Sequence, residues 1–586
     1  MEVIISKATQ KNWARLNVSC HPERLTKRAN KTNSRKKILP LEYFSDANNL
    51  PIINALLDEI NCCGADIFSA MYSIVLNCFN CIGIADGTKA DKKNVQDFIS
   101  EYSCHTLIKS LISSKLPINE TDLLGLIYQS TYMEGDKNKQ GLYYTPMWLS
   151  KQLSERLSFL KGETLLDPCC GSGSFLLNAQ GATPTQLYGV DCDPIAVMLC
   201  KANLIMRYQE IEFTPQVYLT DYLTEPGFFD AVDELEIKSR KFDYIATNPP
   251  WGAIIKNNLV KESMGESFSC FLFTALDSLT DNGLLIFLLP ESLLNVKTHS
   301  YLRSKLLCDY SVKQIELFPN LFSGVTSKVV SLTVSKKHTD GVINVCDGKR
   351  TFTVNSDVYK QNAHHVFSLI DSYDRDILNS LYFKGQFTLS DSIFALGIVT
   401  GNNAEKLFDA PLENSEPIYT GKEIKAFKLM SPQKHIVYDR SQFQQIAKDE
   451  IYRAKEKLVY KFISSKLVFA YDDSGSLFLN SANILIPDVP FMSVQSVLLL
   501  LNSELFQFAY LKKFGEIKIL KGNLCELPLP KLLSEENSEW SAISNSIIKG
   551  NDCIMNEAQE VIYQYYSISQ KQANYIKEAL KNGKSA

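Results

Sequence analysis

The sequence predicts an α/β fold: a doubly wound, largely parallel sheet, preceded by a helical region and followed by a mixed α+β region. Three observations predict it. Short apolar runs alternate with helical patterns between about 136 and 345, and a glycine-bearing turn, within LLDPCCGSGSFLLNA, follows the first of those runs. Past about 345 the texture changes to polar loops, short strands and segments that mix aromatic with basic residues. The chain has 586 residues, 45% hydrophobic and 22% charged, which is ordinary globular composition and too long for a single core. Four segments are expected: a mainly helical region over 1–135, the sheet domain over 136–345, a second domain over 346–535 and a helical segment over 536–586.

Each element follows from local pattern. LPIINALLDEI, VQDFISEY and TDLLGLIYQSTY carry apolar residues at three- and four-residue spacing and read as helices. EGDKNKQG is a polar break before YYTPMWLSKQLSERL, a loop feeding a helix with Pro146 near its first turn. TLLD (164–167), QLYGVD (186–191), QVYLTD (216–221), FDYIATN (242–248) and GLLIFLLP (283–290) are apolar strands, with a helix from Pro194 to about Arg207 between the second and third. Continuous apolar strands with crossovers between them mean a parallel sheet covered on both faces. SVKQIELF (311–318) and KVVSLTVSK (328–336) lie too close for a crossover helix and are expected as an antiparallel pair closing one edge. Farther on, ALGIVTGNN, PIYTGKEI, HIVYDR, KLVYKFIS and KLVFAYDD read as strands and turns, and SVQSVLLLLNSELFQFAYLKKFG as one long amphipathic helix with a basic end.

Net charge is −4, so any nucleic-acid contact must come from local basic surface. Three segments supply it: 21–37 with seven Lys/Arg against one Glu, 451–466 with five against one, and 511–521 with four against one. The opening MEVIISKATQKNWARLN has no apolar core behind a basic end, and no run reaches the ~18 apolar residues of a membrane span. A cytoplasmic protein with no membrane partner is expected, its fifteen cysteines reduced. Cys78 and Cys81 form a CxxC near Cys62, Cys63, Cys104 and His105, but the pair sits in AMYSIVLNCFNCIGI, which reads as a buried helix. No second CxxC follows it cleanly, and no metal is expected.

The chemistry concentrates at strand ends. Asp167 ends the first strand, and Gly171 and Gly173 let the backbone approach a ligand before a helix beginning near Ser174. A dinucleotide fingerprint would place a third glycine where Leu176 stands, and an Asp-Pro precedes the glycines instead. That carboxylate can receive an ammonium group. Asp191, ending the second strand, can take both hydroxyls of a ribose, and Asp221, ending the third, can accept from an exocyclic amine. Amino acid, ribose and adenine together make S-adenosyl-L-methionine.

Asn248-Pro249-Pro250-Trp251 follows the fourth strand. The N6 amine of adenine is a poor nucleophile because its lone pair is delocalised. If the Asn248 side-chain oxygen and the Pro249 carbonyl each accept one N6 hydrogen, the lone pair localises and the growing positive charge is stabilised. Proline offers no competing N–H and aims the carbonyl rigidly, while Trp251 supplies a flat face for the base.

The order YYTP, DPCCGSGSF, GVDCDP, YLTDY, NPPW and LFSGVTSKVV resembles the gamma group of N6-adenine DNA methyltransferases over about 120 to 340. The resemblance implies a Rossmann-like S-adenosylmethionine-dependent methyltransferase sheet. It implies Thr145 and Asp167 on the methionine part, Asp191 on the ribose and Asp221 with Tyr222 on the adenine, Phe271 lining the same pocket. Asn248, Pro249, Pro250 and Trp251 are the implied catalytic loop, with Trp251 and Phe322 on the two faces of the target base. Trp251 departs from the commoner Tyr or Phe at that place, which preserves stacking and alters pocket size.

A duplex hides N6, so the base must be flipped out at a cost of a few kcal/mol. GIVTGNN, YTGKEI, KFISSKLVFAYDDSGS and LLNSELFQF resemble the target-recognition domain of Eco57I-like members, which implies double-stranded DNA as partner. The expected activity is sequence-specific adenine N6 methylation, as the modification arm of a restriction-modification or phage-defence system, with a separate restriction endonuclease as partner, or as an orphan. The alternatives are a glutamine-amide or rRNA adenine methyltransferase, a catalytically silent DNA-binding or toxin-sequestering protein, and a fused restriction-modification enzyme. The N-terminal region shows no Pro-Asp followed by a convincing Asp/Glu-x-Lys, which disfavours the fused enzyme.

Overall fold

The computed structural model describes residues 44–131, 144–223, 241–251, 266–318, 321, 328–337, 341–514 and 518–582. The basic segment 21–37, the break at 134–141 and Phe322 lie outside the described residues. The chain divides into two compact units, one running to Leu369 and the other from Ile370.

In the first unit, helices α1 (Leu50–Cys62), α2 (Ile67–Cys81), α3 (Lys93–Glu101) and α4 (Leu123–Thr131) form the N-terminal layer. Asp66 caps α2 by accepting from the Ser69 amide, and every residue from Ser69 to Phe79 is buried. Cys78 is buried on that helix and Cys81 exposed, and no cluster of three metal-ligating residues occurs among the described residues. After α5 (Met147–Ser154), capped by Pro146, comes the sheet: β1 (Leu165–Asp167), β2 (Leu187–Asp191), β3 (Gln216–Leu219), β4 (Phe242–Thr247), β5 (Leu279–Pro290), β6 (Ser311–Phe318), β7 (Val329–Ser335), β8 (Val342–Cys346) and β9 (Thr351–Asn355). Its spatial order is β3-β2-β1-β4-β5-β7-β6-β8-β9. β3, β2, β1, β4 and β5 are mutually parallel, and β7 runs antiparallel to both β5 and β6.

Between the strands lie α6 (Ser174–Leu177), α7 (Pro194–Arg207), α8 (Ser267–Asp277) and α9 (Ser300–Cys308). Asp193 caps α7 with Pro194 in its first turn, so local chemistry alone fixes where that helix starts. One apolar cluster joins α2, α4, α7 and one face of the sheet; another joins α8, α9 and the other face.

The β6–β7 pair forms as expected but does not close an edge, because β8 adds parallel to β6 and β9 pairs antiparallel with β8. VINVC and TFTVN bury only alternate residues, so their apolar signal is weak and they read as polar texture. The expected boundary near 345 therefore falls inside this sheet.

The second unit holds α10 (Ser372–Lys384) and three small sheets. β10 (Gly385–Phe387) pairs with β18 (Leu529–Pro530), and β11 (Ile393–Leu396), β17 (Ala482–Ile486), β14 (Lys457–Lys461) and β15 (Phe469–Asp472) form a four-stranded sheet in that order. β13 (Lys434–Val437), β12 (Ser415–Tyr419) and β16 (Leu477–Phe478) form the third. The long helix expected over SVQSVLLLLNSELFQFAYLKKFG is two helices, α11 (Val494–Asn502) and α12 (Glu504–Lys513), bent by 63°. Ser503 is the reason: its backbone is extended and its hydroxyl accepts from the Phe506 amide, so a new helix starts there. Helices α13 (Ser534–Ile548), α14 (Met555–Tyr565) and α15 (Gln570–Asn582) share one core with α11 and α12, through Trp540, Ile562 and Ile576 against Leu500 and Phe506. Among the described residues no single helix is long and apolar enough to cross a membrane.

Candidate active site

The parallel strands place four polar side chains at one edge of the sheet. Asp167 ends β1, Asp191 ends β2, Asp221 follows β3 by two residues and Asn248 directly follows β4. Register staggers the ends by two residues at each step, Asp167 lying opposite Gly189 and Asp191 opposite Leu219. The strand order β3-β2-β1-β4 therefore lines up Asp221, Asp191, Asp167 and Asn248 along the carboxyl edge. Three inter-strand spacings span about 14 Å.

All four line one cavity, together with Thr145, Gly171, Tyr222, Pro250 and Phe271. Asp167 is 1% exposed; its Oδ1 accepts from Thr247 Oγ1 at 2.6 Å and from the Cys169 amide at 3.1 Å. Burial pushes its carboxyl up to about 7, against the opposing effect of those donors. Asp191 accepts from the Gly171 amide at 2.9 Å and the Asp193 amide at 3.0 Å, and burial lifts its carboxyl to about 6. Asp221 accepts from the Leu223 amide at 3.0 Å. Tyr222 shares a 3.0 Å hydrogen bond with Ser278 and lies parallel to Phe271, ring centres 5.9 Å apart, as an aromatic wall.

The two glycines act differently. Gly171 has φ of +50°, and a Cβ there would meet the Tyr144 ring at 2.9 Å, so the turn presents bare backbone to the cavity. Gly173 is not among the lining residues; with φ of +95° and a hypothetical Cβ 2.8 Å from Cys200 Sγ, it allows the turn to sit against α7. Pro249 is buried and, with Trp251, is likewise not among the lining residues. Pro250's carbonyl accepts from Ser267 Oγ at 2.5 Å, whereas no described residue donates to the carbonyl of Pro249. Trp251 is half-buried, and its indole N–H donates to the Leu288 carbonyl at 3.2 Å, which fixes the plane of the ring.

Sequence reasoning missed how the N-terminal helices build this site. Gln129 from α4 and Tyr144 line the cavity, and Tyr128 donates to Asp193 Oδ2 at 2.6 Å. Asp122 accepts from Ser172 Oγ at 2.5 Å, the Gly125 amide at 2.9 Å and Asn203 Nδ2 at 3.1 Å, joining the start of α4 to the glycine turn and α7. An isolated Asp and Gln beside an apolar helix were the available signals.

A buried Asp167 and a half-buried Asp191, both hard to ionise, with the exposed Asp221 and a bare backbone turn beside them, give the cavity acceptors along its whole length. Residues 119–390 match the N-6 DNA Methylase family and residues 416–529 the TaqI-like C-terminal specificity domain. Type II methyltransferase M.VspI of Vibrio is 27% identical over 356 residues, 58% of this chain and 84% of that protein. The methylase subunit of the type I restriction enzyme EcoEI of Escherichia coli is 26% identical over 214 residues, 32% of this chain and 42% of that one. The fold is similar to that of the type IIL restriction-modification enzyme MmeI, solved in complex with DNA, at 12% identity, 92% coverage of this chain, 99% of that one and a TM-score of 0.58. With the glycine turn and the NPPW loop inside the first match and most strands of the small sheets inside the second, the chain carries an N-6 DNA Methylase domain followed by a TaqI-like C-terminal specificity domain.

Proposed function

We propose that this chain is a site-specific, adenine-specific DNA methyltransferase that transfers a methyl group from S-adenosyl-L-methionine to N6 of an adenine flipped out of double-stranded DNA. The observation that carries the reading is the order of Asp221, Asp191, Asp167 and Asn248 along one sheet edge. That order matches adenine, ribose, amino acid and target base in sequence. S-adenosylmethionine supplies an electrophilic methyl group on its sulfonium.

The residues do the rest. Asp167 with Thr145 takes the ammonium end, which favours the ionised form that burial disfavours. Asp191 takes the ribose hydroxyls on the lone pairs left over from Gly171 and Asp193. Asp221 and Tyr222 take the adenine edge, with Phe271 packed behind. At the target base, Asn248 Oδ1 and the Pro249 carbonyl accept the two N6 hydrogens, Ser267 having already engaged the Pro250 carbonyl. Positive charge then grows on nitrogen against two fixed oxygens. The anchored Trp251 offers one stacking face, and Phe322 is assigned the other. Gly173 serves by setting the turn against α7 rather than by touching the ligand.

The second unit selects the sequence and holds flanking duplex, and the enzyme works as the modification arm beside a separate endonuclease or as an orphan, in the cytoplasm. The test is to incubate plasmid with methyl-labelled cofactor and map modified bases by single-molecule sequencing. N6-methyladenine in one recurring sequence context is expected. Label on protein with unlabelled DNA would replace this reading with glutamine-amide transfer, and label on rRNA with an RNA methyltransferase.

A further inference from the structure

Two of the basic segments are partly consumed inside the second unit. Arg453 grips the Glu416 carboxylate and the Gly475 carbonyl, Lys457 is fully buried on Asp472, and Lys512 is paired with Asp374. Other lysines are not. Lys422, Lys425, Lys461 and Lys518 form no ion pair with any described residue, and three hydrogen bonds draw their segments together. The Gly421 amide donates to Ser481 Oγ at 2.9 Å, the Phe462 amide donates to the Ser481 carbonyl at 3.1 Å, and the Ile519 amide donates to the Phe462 carbonyl at 2.8 Å.

The loop carrying Lys422 and Lys425 is held under strain. Phe427 is 1% exposed with φ of +70°, a conformation costly for a bulky residue, and it is locked by its amide donating to the Phe469 carbonyl at 2.7 Å. Lys422 and Lys425 stand exposed on the near side of that anchor, and the buried Glu423 is occupied by the Thr420 amide and hydroxyl at 2.7 and 2.6 Å. Burial and the charge of Lys425 hold the Lys461 ammonium below the usual lysine range, against the opposing pull of Glu423, which places Lys425 and Lys461 within reach of each other.

We infer that Lys422, Lys425, Lys461 and Lys518, brought together around Ser481, form a phosphate-binding surface by which the second unit grips the DNA backbone next to the recognition sequence. Strained, rigid placement fits the positioning of a duplex, for which phosphate contacts fix register and base contacts specify. This rests on the methyltransferase reading above. Its test is separable from that reading.

Compare the wild type with Lys422→Gln/Lys425→Gln/Lys461→Gln and with a control, Lys434→Gln/Lys360→Gln, whose lysines are paired with Asp409 and Asp357. Measure DNA affinity from 50 to 200 mM salt, methylation rate at saturating DNA, and melting temperature. Each phosphate contact contributes about 0.9 to the slope of log K against log salt and about tenfold in affinity near 0.1 M. The triple variant is expected to lose roughly 2.7 of that slope and at least a hundredfold in affinity, equally on cognate and non-cognate duplexes, with rate at saturation and melting unchanged. An unchanged slope in a folded triple variant, or an equal loss in the control, overturns the surface. Absence of methylation by the wild type overturns the underlying reading instead.

Discussion

The proposed seat of the ammonium on the Asp167 carboxyl predicts that cofactor binding depends on pH in a calculable way. Burial outweighs the hydrogen bonds from Thr247 and Cys169 and lifts that carboxyl to about 7. An ammonium-bearing ligand requires the carboxylate, so protonation competes with binding. Between pH 7 and pH 5.5 the ionised fraction falls from about a half to about 0.03, a loss of roughly fifteenfold in affinity or about 1.6 kcal/mol. This window also keeps the amine of the ligand charged. Asp191, at about 6, adds a shallower fall of about fourfold over the same range. A carboxyl whose folded value is raised favours the folded state in acid and loses that contribution as pH rises through its folded value, here between about 4 and 7. Cofactor binding to the ionised form restores it, so the rise in melting temperature caused by S-adenosylmethionine grows from pH 5.5 to 7. Isothermal titration of the wild type and of Asp167→Asn checks this. The variant should bind weakly at pH 7 and change by no more than the shallower factor. An affinity that stays level from pH 5.5 to 7, or an Asp167→Asn profile as steep as the wild type, refutes the assignment of Asp167 to the ammonium.

Three further outcomes follow from geometry. Gly173→Ala forces a Cβ into positive φ and against Cys200 Sγ, and should cost about 1–3 kcal/mol in urea unfolding, with Gly173→Ala/Cys200→Ala recovering only the contact part. Ser172→Ala removes a donor from the half-buried Asp122 and should lower stability by about 1–3 kcal/mol, together with cofactor affinity, since Asp122 braces the glycine turn. Lys457→Met strands Asp472 in the core of the second unit and should cost about 3–5 kcal/mol, whereas Lys457→Met/Asp472→Leu should recover most of it in the same unfolding assay.

The sheet and its edge were legible because strand ends, capping residues and glycine turns encode themselves locally. Asp193-Pro194 announces α7 at its first residue, and the Asp and Asn residues that follow apolar strands mark the edge. What the sequence left hidden is set by tertiary partners. β8 and β9 bury one face each and so carry too few apolar residues to stand out. Ser503 splits an apolar stretch that reads as continuous, because a single hydroxyl in a capping position outweighs helical propensity on either side. Lys457 and Arg453 counted as free positive charge until folding brought Asp472 and Glu416 to them. The brace from Asp122 to Ser172 joins residues fifty positions apart, which no local pattern signals.

The central claim is that Asn248 and the Pro249 carbonyl grip N6 of the target adenine. Single-turnover methyl transfer by Asn248→Ala, set beside its affinity for S-adenosylmethionine, tests it most directly. A fall of about 10²–10³ in the transfer rate with cofactor affinity within twofold of the wild type is the expected result. Transfer at the wild-type rate, or a loss traced wholly to weaker cofactor binding, would contradict it.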